Sequence, residues 1–474
     1  MKDLVGQKSG AGNIAAQPIH DTSRLSVKFE DLPLDVLYTI VSKLPPKEFA
    51  RTSVLSSKWR CVSSVCPRLT FDDVEECKCS RGGLHQHTMA FIHETNAILQ
   101  KHRGKVVETL EVRVYFADSL VRHLNNWVDF AVASQTKNLN LNLKPEWLWR
   151  NINNDRYVLP LEQFDNGSIS RLQHMQLCFV SLKPPSQFKG FPNLRKLHIS
   201  LLHVSRKDLE HMLSHCRSLV WLHIEGCHLY DNLILDSPLS NLLYLRIECC
   251  ILTRLKFHAM NLATFQYEGD FIPIDLSHSL KLHSANIQFT KVDFQHVVLS
   301  LLSGLPNVQN LTFHMWWPHL EKQWLWETSL KLSCLRNLQL LLILPAHVEN
   351  VLYLVSFLRA TPFIENLEFH FSSYTLWLAD GGPRRQDIGQ CNKYNYLKNI
   401  CVTGFKGARG QVELILHVVE NAPALEAISV NTKQLASKEF WPYGKNGPPF
   451  EQAKRIATTA LGVALPKGVK LCVI

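Results

Sequence analysis

Residues 193–200 read NLRKLHIS, 218–225 SLVWLHIE, 241–248 NLLYLRIE and 261–268 NLATFQYE. The phase is the same in each. Apolar side chains stand one, four and six places after the leading residue, as Leu194, Leu197 and Ile199 do, and as Leu219, Leu222 and Ile224 do. The last two of the three alternate with polar neighbours, which is the period of a strand with one buried face. Outward from this core, the octad recurs as KLHSANIQ at 281–288, NVQNLTFH at 307–314, CLRNLQLL at 334–341, FIENLEFH at 363–370, YLKNICVT at 396–403 and ALEAISVN at 424–431. Fainter copies come before it at 171–178, 109–114 and 137–143.

The first apolar positions of the ten clear copies lie 25, 23, 20, 20, 26, 27, 29, 33 and 28 residues apart. All but one of these spacings fall inside the ~20–29 residue period of leucine-rich repeats. Such a unit cannot bury its apolar face alone; stacked neighbours complete a continuous core and leave an extended surface for a partner. The expectation is an α/β solenoid with an even parallel sheet on its concave side. The longer units leave room for helices on the return side, as at Val297, Val298, Leu301 and Leu302, at Val348, Val351, Leu352 and Val355, and at Ile415, Leu416, Val418 and Val419. Ser205 and Asp208 form a capping pair before another. The units of 20 residues have no space for a full helix, so an irregular convex side is expected. The polar residues of the strands are the readout positions. Among them we single out His198, His223, Glu225, Arg246, Glu248 and His314 as target-binding candidates. The segment 315–329 breaks the rhythm and gathers Trp316, Trp317, Trp324 and Trp326. Tryptophans favour interface anchors, which adds Trp316 and Trp317 to the candidates; packing within a loop is the alternative.

The chain has 474 residues, 46% hydrophobic and 19% charged, the balance of a folded protein. Its net charge of +10 is spread without any Lys/Arg run of five, so nucleic acid is not expected as a partner. Residues 1–27 read as a disordered tail whose Gly, Gln and Asn break any secretory signal. No run of ~18 apolar residues offers a membrane span. The thirteen cysteines follow no disulfide framework. An intracellular protein of nucleus or cytoplasm is expected, with no membrane partner.

Residues 28–72 have a different grammar. Leu37, Ile40, Val41 and Leu44 fall at the i, i+3, i+4, i+7 spacing of an amphipathic helix. Pro33 suits its first turn, Asp31 can cap it, and Pro45 and Pro46 end it and begin a second helix. Ser56 or Ser57 can cap a third, which carries Trp59. Three short helices make a thin core, so either a partner covers the exposed apolar face or the helices dock as an ordinary subdomain on the rest of their own chain.

The string DLP at 31–33, DVL at 35–37, Ile40, SKLP at 42–45 and RTSVLSSKWR at 51–60 resembles the F-box of plant F-box/FBD/leucine-rich-repeat proteins. That resemblance implies a Skp-type adaptor as partner and, through it, a cullin and a RING protein. It also implies adaptor contacts at Leu32, Pro33, Val36, Leu37, Ile40, Leu44, Pro45, Leu55 and Trp59. Holding the three helices together is the alternative role for several of these, Ile40 and Leu44 especially. A connecting helical segment is expected at 73–104 and the repeats at 105–395. Residues 396–474 are read as a terminal repeat and cap: strand, turn at Gly404 and Gly407, helix ended by Asn421 and Pro423, strand, a helix over 453–461 and a last strand at 469–474. Leu397-Lys398, Gly404-Phe405, Gly407, Glu413-Leu414 and Leu425-Glu426 resemble the FBD motif of the same family.

No phosphate-cradling, nucleophile-elbow or dinucleotide glycine pattern is present. His93-Glu94 lacks the second histidine of a zinc-protease helix, and Cys77, Cys79, His85 and His87 are spaced too tightly for the usual zinc motif. Neither metal nor cofactor is expected. The reading is a non-catalytic substrate-recognition subunit of an SCF-type E3 ubiquitin ligase. A non-degradative interaction scaffold and a receptor for a small signalling ligand are the alternatives. A hydrophobic, basic-rimmed pocket on the concave face would favour the last.

Overall fold

In the computed structural model the described residues are 31–44, 46–74, 84–145, 156–164, 166–290, 300–301, 303–316, 331–344, 351–373, 393–433 and 450–474. The tail, Pro45, Cys77, Cys79, Val297, Val298, Leu302, Trp317, Trp324, Trp326 and Val348 lie outside them.

The N-terminal module is three helices, α1 (Leu34–Val41), α2 (Pro46–Leu55) and α3 (Ser57–Ser64). The cap position of α1 is Pro33, which makes no side-chain cap bond, and Asp31, expected as the cap, stands two residues before it. Ser56 does cap α3, its Oγ accepting from Trp59 N at 3.3 Å. A buried hydroxyl pair, Thr52 Oγ1 and Ser63 Oγ at 2.8 Å, ties α2 to α3.

Fifteen strands among the described residues form one parallel sheet whose order is that of the chain, from Arg68–Asp72 to Lys470–Val473. Every octad found in the sequence supplies one, in unbroken register with the next. In Lys196–Ser200, for example, Leu197 and Ile199 are fully buried while His198 faces out. Burying each such side chain is worth about 1.5–3 kcal/mol, and repetition along the chain builds the core. Leading asparagines stitch the units: the Nδ2 atoms of Asn193, Asn241 and Asn261 donate to the carbonyls of Ser170, Arg217 and Ser240 one coil earlier, at 2.7, 2.9 and 2.6 Å.

The sheet starts earlier than the repeat pattern marks. Arg68–Asp72, read as the tail of the helical module, is its first strand and pairs in parallel with Thr109–Arg113. Leu69 and Phe71 alternate with polar residues and are buried. The helix Leu84–Lys101 therefore belongs to the first repeat unit and is no separate connector. It meets the helix Val121–Ala133 through Phe91 and Trp127, edge to face at 5.8 Å, with Trp127 Nε1 donating to Asn96 Oδ1 at 2.8 Å.

The return side is irregular, as unit length dictates. Helices fill the longer units, at Arg206–Ser214, Leu354–Arg359 and Arg409–Glu420. In the short units strands take their place: His228–Leu235, Ile251–Phe257 and Ile274–Asp275 form a second parallel sheet. At the far end, Gly404 and Gly407 adopt positive φ of 67° and 73°. Wholly buried Gln411 clips that turn, donating to Gly404 O and accepting from Lys406 N. The helix Phe450–Ala464 and the last strand close the array. One hydrophobic cluster runs without a break from Leu37 to Leu461. Among the described residues no helix is long and apolar enough to cross a membrane.

Candidate functional site

Two surfaces are built from the expected residues. The first is on the helical module. Val36 and Leu55 are exposed, Leu55 at 69%, and Pro33 is exposed beside them in sequence. Leu32, Ile40 and Leu44 are half-buried against the core. Leu37 and Trp59, named as contacts, are buried at 1% and 8% and pack the module instead. Sequence reasoning missed Leu34 and Val54, the latter 78% exposed. An apolar residue beside Leu55 at the end of a short helix was the available signal.

The second surface is the open face of the sheet, where register converts sequence into rows. Lys196, Trp221 and Tyr244 stand side by side on successive strands. The next row is His198, His223 and Arg246, and the next Ser200, Glu225, Glu248 and Glu268. Lys196 Nζ lies 4.4 Å from the Trp221 ring, and Trp221 stacks on Tyr244 at 5.4 Å and 3°. The two imidazoles stack at 4.3 Å and 7°. His223 Nε2 is 2.8 Å from Glu248 Oε2, whose other oxygen accepts from Arg246. His198 Nε2 faces Glu225 Oε2 at 3.5 Å. Five of the eight target-binding candidates thus form one connected patch.

Electrostatics hold Glu225 and Glu248 charged. The nearby His198 imidazole draws the Glu225 carboxyl below its ordinary value. Burial works to raise that of Glu248, but hydrogen bonds from His223 and Arg246 prevail and hold it low. His314 stands apart. It is buried on the outer side of its strand, and burial, with the charge of His370, pushes its pKa down to about 4. It packs the face rather than projecting from it. Trp316 is the last residue of its strand, in register with Ile343.

Towards the C-terminal end the face changes character. Asn310, Asn337, Asn366 and Asn399 form an amide ladder, each Nδ2 donating to the previous Oδ1 at 2.5, 2.5 and 2.8 Å. They line an open groove of about 690 Å³ with Gln339, Glu368 and Ser429. Its polar side chains are amides, hydroxyls and the Glu368 carboxylate among aliphatic neighbours, with Lys470 at one end, which is not the basic rim an anionic ligand would need.

Comparison with known proteins matches two stretches of the chain to two family models. Residues 29–70 fit the F-box domain, and 98–458 fit the LRR domain described as At1g61320/AtMIF1. The chain belongs to the plant F-box/LRR-repeat family. The F-box/FBD/LRR-repeat protein At1g13570 of Arabidopsis thaliana is 22% identical over 85% of this F-box/LRR-repeat chain and 90% of its own. The putative F-box/LRR-repeat protein At1g56400 is 22% identical over 90% of each, and the F-box/LRR-repeat protein At3g58900 is 26% identical over 60% of this chain and 92% of its own, both from the same plant. F-box/LRR-repeat proteins are generally non-catalytic adaptors, and an F-box generally binds a Skp-type adaptor. The F-box match ends at residue 70, inside the first strand of the sheet, so module and array of this F-box/LRR-repeat protein share that segment.

Proposed function

We propose that this chain is the substrate-recognition subunit of an SCF-type E3 ubiquitin ligase. Its F-box holds a Skp-type adaptor, and through it a cullin and a RING protein, while the open sheet face holds a protein target. The observation that carries the first half is the exposed apolar set Leu34, Val36, Val54 and Leu55 on a module this small. Leaving such side chains in water forfeits about 1.5–3 kcal/mol each, and a partner that covers them recovers it. The second half is supported by the ordered rows of the face. Three adjacent carboxylates beside a Trp–Tyr stack suit a target segment carrying Lys or Arg with apolar neighbours. The chain itself supplies no nucleophile; its contribution to ubiquitin transfer is proximity, holding target lysines near the charged conjugating enzyme. Ten free cysteines among the described residues support a reducing compartment, nucleus or cytoplasm.

The test is co-purification of adaptor and cullin from plant cells with the full chain and with a Val54→Asp/Leu55→Asp variant. Both positions are exposed, so the variant keeps its fold. Wild type is expected to retain both proteins and the variant to lose both. Recovery of neither with wild type would sink the proposal.

A further inference from the structure

We propose that the rim of the sheet where its strands begin, from Lys137 to Arg217, docks an acidic polypeptide segment that seats one apolar side chain in an adjoining cavity. Parallel register sets the basic row. Asn138, His174, Lys196 and Trp221 begin successive strands side by side. Lys137 and Arg195 stand one residue before two of those starts, and backbone bonds carry them along the rim: Gln173 N donates to Lys137 O at 2.8 Å and Arg195 N to Gln173 O at 2.7 Å. Partial burial, followed by the charges of Lys196, Lys137 and Arg195, lowers the pKa of His174, as expected where these cations gather around one imidazole.

Elsewhere on the same rim such cations are neutralised. Arg68 faces Glu108 at 3.9 Å, and Arg336 and Lys398 share Glu365 at 3.7 and 3.0 Å. Here they are not. Among the described residues no carboxylate pairs with Lys137, Arg171, Lys189, Arg195, Lys196 or Arg217. Like charges gathered without counter-charge repel one another, and an acidic partner relieves that repulsion.

A cavity of about 550 Å³ opens at this rim, beside Ser170, Pro192 and Arg217 in the turns that lead into three of the strands. Leu161, Phe164 and Phe188 line it, the two phenylalanines packed edge-to-face on Phe191 at 5.8 and 5.2 Å. Gly190, at a φ of 67°, closes the loop on the neighbouring coil, where a Cβ would meet His215 Cβ at 2.8 Å. Among the described lining residues Lys189 and Arg217 are exposed cations and Glu162 is the one carboxylate. Apolar walls within a net basic lining suit a hydrophobic side chain flanked by Asp or Glu. Glu225 and Glu248 lie at the far ends of their strands, four residues and roughly 13 Å along, so acidic groups at the rim do not oppose them. The inference stands on the rim and does not depend on the adaptor or on ubiquitin transfer.

The probe is a short fluorescent peptide rich in Glu with one central Phe, titrated into the full chain by anisotropy at low and high salt. It is compared with the same peptide carrying Ala for Phe, with one carrying Lys for Glu, and with a single-stranded oligonucleotide. The protein variants are Arg195→Glu/Arg217→Glu and, as a control of equal net charge, Arg455→Glu/Lys467→Glu; all four positions are exposed, and circular dichroism checks both folds. Wild type is expected to bind the Glu/Phe peptide, more weakly as salt rises, and to ignore the Lys peptide. Loss of Phe should weaken binding about tenfold. Arg195→Glu/Arg217→Glu should weaken it about tenfold or more, and the control should bind as wild type does. No binding by wild type, equal binding by Arg195→Glu/Arg217→Glu, or equal loss in the control would overturn the site. Indifference to Phe would remove the cavity from it, and tighter binding of the oligonucleotide would replace the acidic polypeptide with nucleic acid.

Discussion

Single side chains on the sheet face answer to their depth. An unfolded histidine titrates near 6.5, whereas burial beside His370 holds His314 at about 4. Between those values the unfolded chain takes up a proton that the folded chain refuses. Stability therefore falls as pH drops through that window and levels off below it. The whole effect is at most about 3 kcal/mol. Thermal unfolding followed from neutral pH to about pH 4 should show this slope. His314→Gln should flatten it, and a variant with the wild-type slope would contradict the assignment. The outward direction of His314 was legible from strand alternation, but its burial was not, because that depends on the neighbouring strands' side chains. His198, His223, Glu225, Arg246 and Glu248 were legible as outward positions for the same reason. Their convergence was not, since only register brings residues about 25 apart in sequence into contact.

Elements follow unit length and backbone approach. Gly304 lies where two coils touch: a Cβ there would meet the Ile274 carbonyl oxygen at 1.9 Å, and Gly304 O accepts from Leu276 N at 3.0 Å. Gly462, inside the helix Phe450–Ala464, has nothing within 4 Å of its Cβ position. The same substitution should act with opposite signs. Gly304→Ala is expected to cost about 1–3 kcal/mol through overpacking against backbone, and Gly462→Ala to add about 0.8–1 kcal/mol through helix propensity. Denaturant unfolding of both variants decides it, and shifts of equal sign would refute the account of the coil contact. Strands were the readable elements, since each octad has two buried positions in fixed phase. The strand Arg68–Asp72 escaped because it has no leading marker and adjoins helices of another period. The second sheet escaped because its strands carry no repeat of their own; unit length excluded a helix there without saying what replaced it.

For the whole molecule, the deciding feature is the unbroken core from F-box to cap. The junction lies at the Arg68–Asp72 strand: just before it, Arg103 N donates to Ser64 O at 2.6 Å and Glu108 N to Pro67 O at 2.7 Å, so backbone bonds join module to array. Under the proposed function, a target on the sheet face would be tied through these bonds to the helices that hold the adaptor, which suits delivery by proximity. The most direct measurement of that claim compares the proteins retained from plant cells by two forms of the full chain. One is Val54→Asp/Leu55→Asp, and the other adds Trp221→Ala and Glu225→Arg. The account predicts that the first form, cut off from the ligase, accumulates one or more proteins that are ubiquitinated in its wild-type counterpart, and that the second form loses those same proteins. Identical sets of retained proteins in the two forms would contradict it.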